Sequence, residues 1–203
     1  MYSVLPDALR SFHATHPRVE LELHEMVTEE QADALQEGRI HVGIGRQPDS
    51  IAGCTRRPVL RERIMVVLPV GHPSAAAEHV RITDLADDPL LLYPQHPAAR
   101  FAGFVESLYR DRGLVPEVAH RTSEIQTAIG LVAAGLGVTY VGESVAHHGR
   151  DDVVYRHLDD LDDRHTTTLE AVFREHDEST HLHAFLACLP GFDGSHGVEK
   201  REA

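Results

Sequence analysis

An α/β fold, with helices covering buried parallel strands, is what this sequence predicts. Three observations carry the prediction. Two short runs, IMVVLP at residues 64–69 and PLLLYP at 89–94, are apolar almost throughout, as strands buried on both faces are. Other stretches space their apolar residues three and four apart, the signature of a one-sided helix. The two patterns alternate along the chain.

The elements follow in order. Pro6 sits in the first turn of a helix whose face carries Leu5, Leu9 and Phe12, and Pro17 closes it. VELELH, residues 19–24, sets Val19, Leu21 and Leu23 against Glu20, Glu22 and His24, which reads as a strand with one wetter face. Thr28 with Gln31 three residues later has the form of a capping box, and the helix it opens stops at Gly38. Residues 40–44 form a strand that Gly45 ends, and Arg46 follows. After the strand at 64–69, Thr83 caps a short helix through Leu85, and 89–94 is the next strand. Phe101, Phe104, Val105 and Leu108 stripe a helix ending near Gly113, and residues 116–121 suit a strand. Ser123 with Gln126 makes a second capping box, opening a helix that Gly135 stops. Residues 137–141, 153–158 and 166–173 are three more strands, and Leu182, Phe185, Leu186 and Leu189 stripe the last helix. The acidic stretch at 159–164 reads as a solvated turn.

Composition narrows the function. With 32 acidic residues against 19 basic ones among 203, the formal charge is -13, a surface that repels nucleic acid and anionic membrane. Only Cys54 and Cys188 are present, so there is no disulfide scaffold, and a reducing, cytoplasmic setting fits. The opening MYSVLPDALRSF has neither a basic n-region nor a long apolar run, as a signal peptide or membrane span would. Sixteen histidines invite a metal, yet His147–His148 and the pair His181 and His183 match no zinc-site spacing, and no metal or cofactor is expected. G-x-S-x-G, G-x-G-x-x-G and C-x-x-C are absent, so no enzyme is predicted.

In open α/β sheets ligands gather at the carboxyl ends of strands and the amino ends of helices. Thr28, Arg46 and Ser123 fall at such places, and all three are donors. Together they would suit a small organic anion, with Arg46 offering a two-pronged fork to a carboxylate. Singly, each has an ordinary explanation: a helix cap for Thr28 and Ser123, a surface ion pair for Arg46.

The strings LPDALRSFHATHPRVELELHE, LQEGRIHVGIGR, ERIMVVLPVGHP and IGLVAAGLGVTYV resemble, in order and spacing, the effector-binding domain of LysR-type transcriptional regulators. The resemblance runs from Leu5 to about Leu189 and is nearest to the branch governing aromatic-compound degradation, with benzoate- and cis,cis-muconate-responsive members. It implies two Rossmann-like lobes around a cleft, like type II periplasmic binding proteins. Lobe I would be residues 1–62 plus 167–190, lobe II 63–166, and 191–203 a flexible tail. It implies an effector-sensing module binding an aromatic or dicarboxylic acid between the lobes. Thr28 matches the family's carboxylate-binding threonine, Arg46 an arginine near the ligand, Phe101 an aromatic lining the pocket, and Ser123 and Glu124 the opening of a helix beside the cleft. Homodimers or homotetramers are implied, as is DNA binding through an amino-terminal helix-turn-helix domain not found in these 203 residues. The family's first lobe I strand, which should lie between 19–24 and 40–44, is also missing, and a truncated sequence is the expected reason. Leu60 and Arg61 stand where some members carry a buried arginine, so a second aromatic-acid site is not expected. A solute-binding protein for a small carboxylate shares this fold and is the alternative, with a prephenate dehydratase-like enzyme behind it.

Overall fold

The computed structural model describes residues 4–26, 28, 30–46, 50–95, 100–148, 150–162 and 164–191. The chain divides into two compact units, residues 1–61 with 168–203 and residues 62–167. Nearly all of the segment 191–203 expected as a tail lies outside the described residues.

In the first unit the helices α1 (Val4–Thr15) and α5 (Thr180–Leu186) cover a short sheet. Val4, Ala8 and Phe12 of α1 bury against Leu182, Phe185 and Leu186 of α5, with Ala171 and Phe173 beneath. The Phe12 and Phe185 rings meet edge to face at 5.7 Å, and the His16 ring stacks on Phe12 at 4.7 Å. Strand β1 (Val42–Arg46) pairs antiparallel with β8 (Thr166–Arg174), Val42 opposite Phe173 and Arg46 opposite Leu169. Next to β8 in strand order lies the long β2 (Cys54–Pro69), which continues into the second unit. Between α1 and β1 lies α2 (Gln31–Gln36), closed by Gly38 at a φ of +73°, where glycine is unstrained.

Here one expectation fails. Residues 19–24 alternate as a strand should, but residues 20–26 form no regular structure, and Leu21 and Leu23 stay 40% and 68% exposed. Alternation shapes a strand only where a neighbour completes the ladder. Among the described residues β1 pairs with β8 alone, so no strand stands between it and residues 19–24.

In the second unit the end of β2 pairs antiparallel with β6 (Thr139–Gly142) and with β7 (Val153–Leu158), and β3 (His79–Val80) runs parallel to β7. Strands β4 (Leu90–Leu92) and β5 (Val118–Arg121) pair in parallel, with Leu90 bridged to Val138. The buried runs are thus strands, but 64–69 is antiparallel to both neighbours. An apolar run reports burial on both faces and says nothing of direction. The core joins Ile64, Val66, Leu68, Leu90, Leu92, Val105, Leu108 and Tyr140, under the helices α3 (Arg100–Arg110) and α4 (Ile125–Ala133). Gly137, at φ +147°, must be glycine: a Cβ there would collide with the Pro89 carbonyl.

The short helical turn Ile82–Leu85 starts from Arg81, whose N–H donates to the Asp84 carboxylate, rather than from Thr83. The acidic stretch is also more than a solvated turn. Asp160 accepts the Arg112 Nε–H at 2.6 Å and the Ile82 N–H at 3.2 Å, with the guanidinium and carboxylate 15% and 21% exposed. An aspartate read as surface therefore ties α3 to the start of that turn.

Candidate functional site

The residues singled out in the first unit meet at β1. Gly43 and Gly45 occupy alternate positions of that strand and share one face. A Cβ on Gly45 would lie 2.6 Å from Thr28 Oγ1 and 2.9 Å from its Cγ2, and one on Gly43 would collide with Gln31 Oε1. Two missing side chains therefore let the turn at residues 28–31 settle directly on the strand. The Gln31 N–H donates to the Thr28 carbonyl at 3.3 Å. Arg46, half-buried, is the next residue after Gly45 and ends β1, its side chain on the face opposite the glycines and Thr28.

The first capping box is not formed. The residue before α2 is Glu30, in helical conformation and without a side-chain cap, and the Gln31 side chain runs to β1, where its Nε2 donates to the Ile44 carbonyl at 3.2 Å. The approach to the glycines draws the turn and its side chains inward and leaves none to cap the helix. The connection from α2 to β1 is held from β8. Arg174 donates to the Leu35 and Ile40 carbonyls at 2.8 and 3.0 Å and pairs with Asp177 at 2.5 Å. Glu170, opposite Gly45 and so on the same face, would repel an arriving carboxylate. Arg56 lies 3.6 Å from it and offsets that charge.

The residues singled out in the second unit sit at the carboxyl ends of β4 and β5. The Thr122 N–H donates to the Leu92 carbonyl at 2.9 Å, the Gln95 N–H to the Thr122 carbonyl at 2.7 Å, and Thr139 Oγ1 to the Leu91 carbonyl at 2.7 Å. These bonds seat the starts of α3 and α4 where ligands of α/β folds collect. Phe101, the second residue of α3, is 5% exposed, its ring 5.3 Å from Tyr93 and 6.4 Å from Phe104. Ser123 and Glu124 are exposed. The second capping box also fails: Glu124, with extended backbone and no side-chain cap, precedes the helix, and Thr122 Oγ1 braces the turn by donating to the Glu124 carbonyl at 3.1 Å. Ser123 thus falls one residue too early to cap.

Among the described residues the arrangement offers hydrogen-bond donors and a cation, and no activated nucleophile. The half-buried histidine His72 has both ring nitrogens engaged, Nε2 by Asp88 at 3.1 Å and Nδ1 by the Ser74 N–H at 3.1 Å. A concavity of about 160 Å³ in the second unit, lined by His79, His157, Asp159, Asp162 and His165 among others, contains none of the residues singled out from sequence. Two of its imidazoles are engaged by carboxylates, His79 with Asp159 at 3.0 Å and His165 with Asp162 at 2.9 Å. Among the described residues no three His, Cys, Asp or Glu side chains are grouped to hold a metal, and no helix is long and apolar enough to cross a membrane.

Gln31 is the residue of this site that sequence reasoning misassigned. The pair of glycines at alternate positions of one strand was the available signal, since such spacing marks close approach by another element.

Residues 1–192 match the family model described as the LysR substrate binding domain. The chain is 34% identical over 191 residues to the HTH-type transcriptional regulator BenM of Acinetobacter baylyi, covering 93% of the chain and 62% of BenM. It is 36% identical over 155 residues to the HTH-type transcriptional regulator CatR of Pseudomonas putida, covering 76% of the chain and 53% of CatR. The chain thus spans little more than half the length of these relatives. The crystal structure of the BenM effector binding domain with its effector benzoate superposes with a TM-score of 0.79 at 32% identity, over 92% of this chain and 84% of that one.

Proposed function

The chain belongs to the LysR substrate binding domain family, and on that footing we propose that it senses a small aromatic or dicarboxylic acid, held through its carboxylate by Thr28 and Arg46. The placement of Thr28 over Gly45, at the end of the strand that Arg46 closes, is the observation that supports this most directly. A hydroxyl on one face of that strand end and a guanidinium on the other are donors of the kind a carboxylate takes. The solved effector complex of BenM, with benzoate, supports the same ligand class. In the second unit, Ser123 and Glu124 present the backbone N–H groups at the start of α4, and Phe101 supplies an aromatic wall. The net charge of -13 gives no long-range attraction for an anion, so these local donors carry the recognition.

In this reading the chain is the sensing part of a cytoplasmic transcriptional regulator of aromatic-compound catabolism. The regulator is a homodimer or homotetramer, and its DNA contacts belong to a helix-turn-helix region outside these residues. The chain binds its acid and returns it unchanged, without catalysis.

Calorimetric titration with benzoate and with cis,cis-muconate tests the proposal. At least one acid binds, and Arg46→Ala weakens it by roughly 10- to 100-fold, the loss of a charge-assisted bond of about 1.5–3 kcal/mol. Folded protein that binds neither acid at millimolar concentration overturns the reading.

A further inference from the structure

We infer that Gln31 is a positioning residue for the acid-binding site: its amide holds Thr28 in place against β1, at a cost to the stability of the fold. The inference rests on the proposal that Thr28 contacts the ligand. Gln31 is only 7% exposed. Its Nε2 is spent on the Ile44 carbonyl, which fixes the amide's orientation, since the flipped amide would set two oxygens against each other. Its Oε1 is then buried and has no hydrogen-bond partner among the described residues. A glutamine kept for stability alone would not leave an acceptor in that state. The penalty for a buried, unpaired carbonyl oxygen exceeds what one neutral hydrogen bond returns.

Geometry shows what the amide accomplishes. Thr28 and Gln31 belong to one turn, closed by the bond from the Gln31 N–H to the Thr28 carbonyl, and both side chains lie on the glycine face of β1. In the described contacts of this turn, the bond from Nε2 to Ile44 is its polar anchor to the strand. Releasing it lets the turn lift from β1 and carries the Thr28 hydroxyl away from its place over Gly45. Buried polar groups left incompletely satisfied concentrate where function requires them.

Four proteins test this: wild type, Gln31→Met, Thr28→Val and the double variant. Each is measured for benzoate affinity by calorimetry, with cis,cis-muconate as second probe, and for urea unfolding midpoint. Methionine keeps the length of glutamine and removes both the anchoring donor and the unpaired oxygen. The expected Gln31→Met protein has an unfolding midpoint equal to or above wild type and an affinity at least 10-fold weaker. Thr28→Val is also weaker, and the double variant is no weaker than Thr28→Val, because placing a hydroxyl that is gone has no value. Wild-type affinity in folded Gln31→Met overturns the inference, as do multiplying losses in the double variant. A Gln31→Met protein that unfolds or fails to fold overturns it too, since Gln31 would then serve stability. A wild type that binds neither acid fails earlier, at the functional proposal, and removes this inference with it. Binding that Thr28→Val leaves intact likewise removes Thr28 and the basis for positioning it.

Discussion

Gly45→Ala places one methyl group where the structure has none to spare. Its Cβ would stand 2.6 Å from Thr28 Oγ1, 2.9 Å from Cγ2 and 3.2 Å from Cβ, so the whole threonine side chain is in the way, not a movable tip. Restoring an ordinary contact of about 3.5 Å requires Thr28 to retreat by roughly 1 Å. Overpacking of this kind costs about 1–3 kcal/mol of stability. At the site, a hydroxyl displaced by that distance no longer completes a hydrogen bond to a charged carboxylate, a loss of about 1.5–3 kcal/mol, or roughly 10- to 100-fold in Kd. Gly43→Ala is the milder comparison. The atom it meets most closely is Gln31 Oε1, at the end of a flexible side chain, with Cδ at 3.2 Å and Cβ at 3.4 Å. Its amide can shift by bond rotation at a smaller cost in stability, and Gly43→Ala weakens binding only to the extent that the shift strains the bond from Gln31 Nε2 to Ile44, less than Gly45→Ala does. Benzoate titration and urea unfolding of both variants check the ordering. A folded Gly45→Ala protein with unchanged affinity, or a Gly43→Ala protein weaker than it, refutes the assignment of Thr28 to the ligand.

Other outcomes follow from the same structure. Tyr109 and Tyr140 share a buried hydroxyl–hydroxyl bond of 2.7 Å, and burial pushes the Tyr109 phenol up to about 12 and the Tyr140 phenol well above its usual value, so both stay protonated near neutral pH. Tyr109→Phe should cost about 1–3 kcal/mol in urea unfolding by stranding the Tyr140 hydroxyl, and adding Tyr140→Phe should recover part of that loss. Burial tends to raise the Asp177 carboxyl, but the Ser179 N–H and the Arg174 guanidinium outweigh it and hold it below the usual carboxylate range. Its folded pKa being the lower one, Asp177 contributes stability above the ordinary carboxylate pKa and loses it as pH falls through the depressed folded value; Asp177→Asn should flatten that acid limb in unfolding midpoints taken from pH 6 downward. Amide hydrogen exchange should find residues 20–26 nearly unprotected while β8 is strongly protected, and equal protection in the two segments would contradict the unpaired state described for 20–26.

What the sequence disclosed, and what it withheld, divides along the range of the interactions involved. The strand expected at residues 153–158 is the observed Val153–Leu158, and Phe101, Val105 and Leu108 of α3 and Leu182, Phe185 and Leu186 of α5 are buried as their spacing requires. Those patterns arise from one element meeting a core, which its own residues record. Residues 19–24 carry an equally clean alternation, yet a strand is a property of two chains in register, and the second is not among the described residues. Strand direction was illegible for a related reason: burial on both faces of 64–69 leaves the same apolar run whether the neighbours are parallel or antiparallel. At the site, Thr28 with Gln31 and Ser123 with Gln126 both had the letters of a capping box, and neither forms one. In the first case two glycines fifteen residues or so downstream admit the turn so closely that its side chains are drawn inward. In the second, the helix begins one residue late because Thr122, not Ser123, braces the Glu124 carbonyl. A cap motif is a local signal, whereas the glycines act across the fold. A site assembled by close approach is therefore announced in sequence less by the residues that contact the ligand than by the residues that stay out of their way.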